Sequence, residues 1–202
     1  TNLAQPLEIK GPWEVSFMNG MGSPSKTTFD KLISWSNHPE QSIKYYSGSA
    51  VYRKNISISK EMLGKNKKLK LDLGKVEIMS EVKVNGKNLG ILWKVPYSFD
   101  ITDAVKIGTN TIELKVVNLW VNRMIGDEQI PDSSERNKTN GGSLLSWPSW
   151  ITEGKSNPTE RYSFTTWKLW KKDSPLLESG LLGPVRIISA EHVVVDPGIL
   201  IS

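Results

Sequence analysis

Apolar and polar residues alternate with period 2 wherever a period is clear. Leu69 to Leu73 (LKLDL) runs apolar, polar, apolar, and Val82 to Val84 (VKV) does so just before Asn85-Gly86. Alternation places successive side chains on opposite faces and predicts strands with one buried face. Asn-Gly accepts the positive φ values of a tight hairpin turn, so the chain is expected to return through Leu89, Ile91 and Trp93. Thr111 to Val117 (TIELKVV) alternates again. Ala50 to Ile58 predicts a strand with Val51, Arg53 and Asn55 on one face and Tyr52, Ile56 and Ile58 towards the other. WEVSF from Trp13, VRIISA from Val185 and HVVV from His192 complete about eight strand candidates. Short strands between turn signals predict an all-β fold, a jelly-roll β-sandwich. Helical signals are local: Ser59 to Leu63 after an N-cap Ser, Thr102 to Gly108 closed by glycine, and the spacing within Phe29 to Trp35.

One stretch breaks the pattern. Residues 119–165 hold 13 apolar residues in 47, a lower share than the 38% of the whole chain, and Gly, Ser, Pro, Asn and Thr supply 22. A non-periodic segment this long inside a compact domain is usually functional or disordered. Trp120, Trp147 and Trp150 lie within it and Trp167 and Trp170 just beyond, five of the chain's eight tryptophans, whereas disordered segments are poor in aromatics. An ordered, aromatic-rich insertion packed on the sandwich is therefore expected. The 202 residues read as one domain carrying this insertion.

Composition removes several chemistries. With no cysteine, disulfide scaffolds, thiol nucleophiles and cysteine-based metal sites are excluded. No run approaches the ~18 apolar residues of a membrane span. The net charge of +5 has one dense cluster, Lys65 to Lys70, at a turn before a strand. Nucleic-acid binders carry basic residues along a face with interleaved aromatics, so no nucleic-acid partner is expected. The start, TNLAQPLEIKGPW, holds no basic stretch followed by an apolar one, so no signal peptide is expected in the chain. The absent Met and the apolar end VVVDPGILIS fit a piece of something longer.

Catalytic constellations are sparse. His38 and His192 lack a partner at ligand or triad spacing, and no glycine-rich phosphate loop occurs. The insertion holds Asp127, Glu128, Asp132, Glu135, Glu153 and Glu160, but their spacing singles out no acid and base for glycoside hydrolysis. Arg123, Arg136, Lys138, Lys155 and Arg161 lie among them and are expected to pair with them.

The most specific string is NLWVNRMIGDE, Asn118 to Glu128. If extended, Trp120 and Asn122 share a face, followed by Arg123 and Asp127. An aromatic face beside planar polar side chains suits a sugar, whose C–H face stacks while its hydroxyls take hydrogen bonds. The alternative is a core plug at Trp120 and an internal Arg123–Asp127 ion pair. Trp147 and Trp150, separated by a proline turn, form a platform or pack beneath the loop. Trp13 and Trp35 are expected in the core and Trp93 faces either way, while Trp167 and Trp170 would face opposite ways on a strand.

Taken in order, GPWEVSF, SGSAVYRKNISI, LDLGKVEIMSEVKVNGKNLG, FDITDAVKIGTNTIELKVVN and SGLLGPVRI resemble the galactose-binding-like jelly-roll domain of glycoside hydrolase family 2. LWKVPY and NLWVNRMIGDE are similar to the C-terminal β-sandwich of family 106 α-L-rhamnosidases. The resemblance implies a non-catalytic part of a secreted or periplasmic bacterial glycoside hydrolase acting on plant or host polysaccharide. Its partners would be carbohydrate and a catalytic domain of the same polypeptide, whose barrel 202 residues cannot also contain. In that family the segment corresponding to Asn118–Ser179 often reaches the neighbouring catalytic pocket. Substrate contacts are then expected at Trp120, Asn122, Arg123, Asp127, Trp147 and Trp150, with no catalytic residue. The chain departs from the family where Gly183 and Pro184 follow SGLL in place of an arginine, so that arginine's role is not carried over. No cofactor is required; a structural calcium on backbone carbonyls stays open, as in many jelly rolls. The rival is a structural or docking module without sugar affinity.

Overall fold

The computed structural model describes residues 5–18, 22–64 and 66–191. Its larger sheet has six antiparallel strands in the order β3 (Thr27–Phe29), β2 (Trp13–Phe17), β4 (Ser49–Ile58), β10 (Gly108–Val117), β7 (Met79–Val84) and β8 (Lys87–Leu92). The second has four: β1 (Leu7–Glu8), β12 (Arg186–Glu191), β5 (Lys67–Asp72) and β9 (Ser98–Asp100). A two-stranded ribbon joins β11 (Gly180–Gly183) to β6 (Lys75–Glu77). The fold is the expected all-β sandwich. Alternation decides its core. Asn110, Ile112, Leu114 and Val116 on β10 are at most 1% exposed, and they share the interior with Tyr52, Val82, Leu69, Leu71 and Ile187.

Two motifs form polar pins. Asn85 and Gly86 take φ of 51° and 80°, the values an Asn-Gly hairpin turn needs. Asn85 Nδ2 then donates to Ala104 O and Asn110 Oδ1, while Asn110 Nδ2 donates to Lys106 O and Gly108 O. Hairpin and corner are thus tied by side-chain amides that replace backbone pairing at a buried position. In the core, Trp35 Nε1 donates to Tyr52 Oη at 2.5 Å, and Leu181 N donates to the same oxygen at 3.3 Å. Gly180 lies against this pin with φ +94°; a Cβ there would stand 2.5 Å from Trp35 Nε1.

Local expectations fail where alternation is interrupted. The hairpin returns, but a bulge shifts the register between Val82↔Gly90 and Lys83↔Asn88. Leu89 and Leu92 therefore pack on the core, and Ile91 and Trp93 are exposed. Phe29 to Trp35 is no helix: Phe29 ends β3 and a 3₁₀ turn covers Trp35–Asn37. Ser59 to Leu63 is a turn, and Thr102–Ala104 a single 3₁₀ turn, with Gly108 already in β10. Trp167 and Trp170 lie on irregular chain, not a strand. Two one-turn helices, α1 (Gln41–Lys44) and α3 (Ser149–Thr152), carry too little period to be seen in sequence. His192, the HVVV strand and Lys65 lie outside the described residues.

Candidate functional site

The string from Asn118 is not extended. Val121–Asp127 forms a helix, α2, that leaves β10 and packs so closely on Tyr45 that a Cβ at Gly126 would stand 2.6 Å from the Tyr45 Cβ. Helical spacing separates Trp120 from its neighbours. Trp120 stands at the helix start, 54% exposed, while Asn122, Arg123 and Asp127 turn inward.

All three inward residues grip the long segment. Asn122 Nδ2 donates to Leu177 O at 2.7 Å and its Oδ1 accepts from Leu177 N at 2.8 Å. Arg123 Nη2 meets Asp127 Oδ1 at 2.9 Å, one helical turn on, and its guanidinium lies over the Tyr162 ring, 5.1 Å from the centroid. Asp127 Oδ2 accepts from both Ser163 N and Ser163 Oγ at 2.6 Å. These contacts are made within the chain and include the internal Arg123–Asp127 ion pair, and they position the segment; Arg123 Nε is buried without a hydrogen-bond partner.

What they position is aromatic. Phe164 follows Ser163, and Trp150 stands edge-on to its ring, with centroids 5.5 Å apart. Trp147 tilts over the same ring at 6.1 Å and remains 60% exposed. Trp150 is partly buried, and its Nε1 is buried without a hydrogen-bond partner. Trp147 and Trp150 thus share one cluster built on Phe164. Trp120, at the start of α2, makes no ring contact with that cluster.

Ion pairs hold the rest of the segment. Arg161 reaches Glu128 Oε1 at 2.6 Å and Asp132 Oδ2 at 3.2 Å, and its Nε donates to Asp127 O and Ile130 O. Arg136 meets Asp132 at 2.5 Å and donates to Gly142 O and Thr165 O. Burial opposes ionisation of Asp132, but the Ser134 N–H and the Arg136 guanidinium outweigh it and lower its pKa. The pairing of acids with bases expected from composition holds for Arg123, Arg136, Arg161 and Lys155. Sequence reasoning missed Phe164, Tyr162 and Ser163, whose roles depend on contacts with residues well removed along the chain: Trp147 and Trp150, Arg123, and Asp127. The four-residue spacings of Arg123–Asp127 and Asp132–Arg136 were the one available signal.

His38 stacks on Phe29 at 5.3 Å, and its Nδ1 accepts from Glu40 N. Among the described residues, no three His, Cys, Asp or Glu side chains converge as a metal site, and no helix is long and apolar enough to cross a membrane.

A β-sandwich carrying a long, internally clamped aromatic segment has the architecture of a galactose-binding-like domain. The chain belongs to the glycosyl hydrolase 2 galactose-binding domain-like family, whose model matches residues 33–146. It is 46% identical over 186 residues to a protein of Formosa agariphila named "Putative beta-glucuronidase", covering 92% of this chain and 16% of that protein. The structure of a rhamnosidase from Novosphingobium sp. PP1Y superposes with a TM-score of 0.69 at 32% identity, over 94% of this chain and 15% of that one. A β-glucuronidase of Ruminococcus gnavus shares the fold, with a TM-score of 0.52 at 20% identity over 92% of this chain and 28% of its own. The chain thus spans about one sixth of the curated relative it matches.

Proposed function

We propose that this chain is the accessory sandwich of a larger bacterial glycoside hydrolase, periplasmic or secreted, that acts on plant or host polysaccharide. Catalysis belongs to another domain of the same polypeptide, and this domain completes the rim of its cleft and contacts sugar. The observation that carries the reading is Trp147, 60% exposed yet braced against Phe164. An exposed ring held in place offers a stacking face at little entropic cost. Trp150 braces the same ring, Asn122, Arg123 and Asp127 hold the backbone that carries it, and Trp120 offers a separate exposed face at the start of α2.

Asp132, an acid of the segment, is committed to Arg136 and Arg161, which fits an accessory role. A structural calcium would have to rest on backbone carbonyls; a rise in Tm with calcium, reversed by chelator, would support it.

The test is intrinsic tryptophan fluorescence, titrated with neutral and acidic mono- and oligosaccharides. A saturable change that Trp147→Ala abolishes is the expected result; a flat response across the panel overturns sugar contact by this chain. One observation favours a docking module instead. Trp93, Val95, Leu145 and Leu169 are 65–75% exposed, as interface residues are before a partner covers them.

A further inference from the structure

A second feature lies where the end of β6, the start of α2 and residues 177–179 converge. A cleft of about 230 Å³ opens there. Pockets for drug-sized ligands run from roughly 300 to 1,000 Å³, so this one suits a single sugar ring.

Its lining divides by chemistry. Ile78, Leu119, Val121 and Leu177 supply an apolar wall. The two asparagines in the lining are spent on the fold: Asn118 bridges Tyr46 O and Gly48 N, and Asn122 holds Leu177. The groups left to meet a ligand are Glu77, Glu178 and the Ser179 hydroxyl. Ser179 is 2% exposed, and its Oγ meets Asn122 Nδ2 at 3.5 Å, the outer limit of a hydrogen bond. A ligand hydroxyl would make a stronger bond at that buried position. Lys75 pairs with Glu178 and lies 3.6 Å from Glu77. Two carboxylates thus share one ammonium, and the rim carries a net charge of −1.

We infer that this cleft is a monosaccharide subsite that takes a neutral pyranose and rejects a uronate. The apolar wall covers a C–H face, and the carboxylates accept from vicinal hydroxyls, which a neutral sugar donates. The carboxylate of a uronic acid would meet Glu77 and Glu178 with one ammonium between them. The subsite shares with the proposed function the premise that the chain meets carbohydrate, but it does not involve the Trp147 surface.

The experiment is ¹H–¹⁵N NMR titration of the chain with methyl α-L-rhamnopyranoside, methyl β-D-galactopyranoside and sodium glucuronate. Shifts at residues 77–79, 119–121 and 177–179 are expected for at least one neutral glycoside, saturating near millimolar concentration, about the affinity of 4 kcal/mol of binding. Glucuronate should bind about five- to tenfold more weakly, the effect of one nearby like charge. Glu178→Gln, at an exposed position, should narrow that gap, and Lys75→Gln should widen it. Trp147→Ala should leave the cleft shifts unchanged. Equal or tighter glucuronate binding overturns the inference. Shifts confined to Trp147 and Phe164 overturn it while the proposed function stands, and no shift anywhere overturns both.

Discussion

Asn122 reads the backbone of Leu177 as a strand partner would. Its amide donates to the carbonyl at 2.7 Å and accepts from the N–H at 2.8 Å, closing a loop of 55 residues with one side chain. The next residues bind back to the core: Trp35 N donates to Ser179 O, and Ser179 N donates to Ser34 Oγ. The long segment therefore leaves the sandwich on α2 and is refastened to α2 where it returns.

Asn122→Ala should loosen that return. It leaves the part-buried N–H and C=O of Leu177 without their partner, a cost of about 1–2 kcal/mol, or about 2–8 °C in Tm for a chain of this size. Hydrogen exchange should rise first at Leu177 to Ser179. Unchanged protection there would show that the β11 pairing alone holds the return.

The Arg123–Asp127 pair should behave as a buried ion pair. Asp127→Asn leaves a guanidinium that is 5% exposed without its counter-charge, at a cost of about 3–5 kcal/mol. Replacing both residues, as Arg123→Met with Asp127→Leu, should cost much less than the two single changes added together. Urea denaturation of the four proteins of the cycle measures the difference. Additive costs would mean that Tyr162 and Ser163, not the pair, carry the stabilisation.

Asp132 couples the segment to pH. Its folded pKa lies below the ordinary value of 3.8. The folded state then holds its proton less tightly than the unfolded state, so its contribution is complete above that value and is lost as pH falls through the folded pKa. Stability should decline from about pH 5 downward. Asp132→Asn should be less stable at pH 7 and show a shallower decline in acid. Parallel curves for the two proteins would assign the acid sensitivity to other carboxylates.

The core pin makes a prediction independent of the site. Tyr52→Phe keeps the ring but leaves Trp35 Nε1 and Leu181 N without their acceptor, at a cost of about 1–3 kcal/mol. Gly180→Ala should be worse, because its backbone is left-handed and its Cβ would collide with Trp35. Tm by calorimetry ranks the two, and a Gly180→Ala protein as stable as the parent would show that β11 shifts to accept the methyl group.

Period-2 alternation and the turn signals between strands, Asn85-Gly86 above all, were enough to specify an all-β sandwich with β4, β5, β7 and β10 in it. Those signals are local, because each strand declares its buried face in its own residues. Composition also marked residues 119–165 as a distinct ordered segment, and an internal Arg123–Asp127 ion pair was one of the two readings its residues offered. Tertiary structure alone decided what the segment does with its side chains. Trp120, Asn122 and Arg123 lie within four positions of the chain, yet one faces solvent and two face inward because a helix, α2, and not a strand, begins there. Whether Asn122 meets a ligand or Leu177, and whether Glu77 lies beside Glu178, depends on contacts between residues 55 and 101 positions apart. No local pattern encodes them; they exist once the sandwich has brought those stretches together.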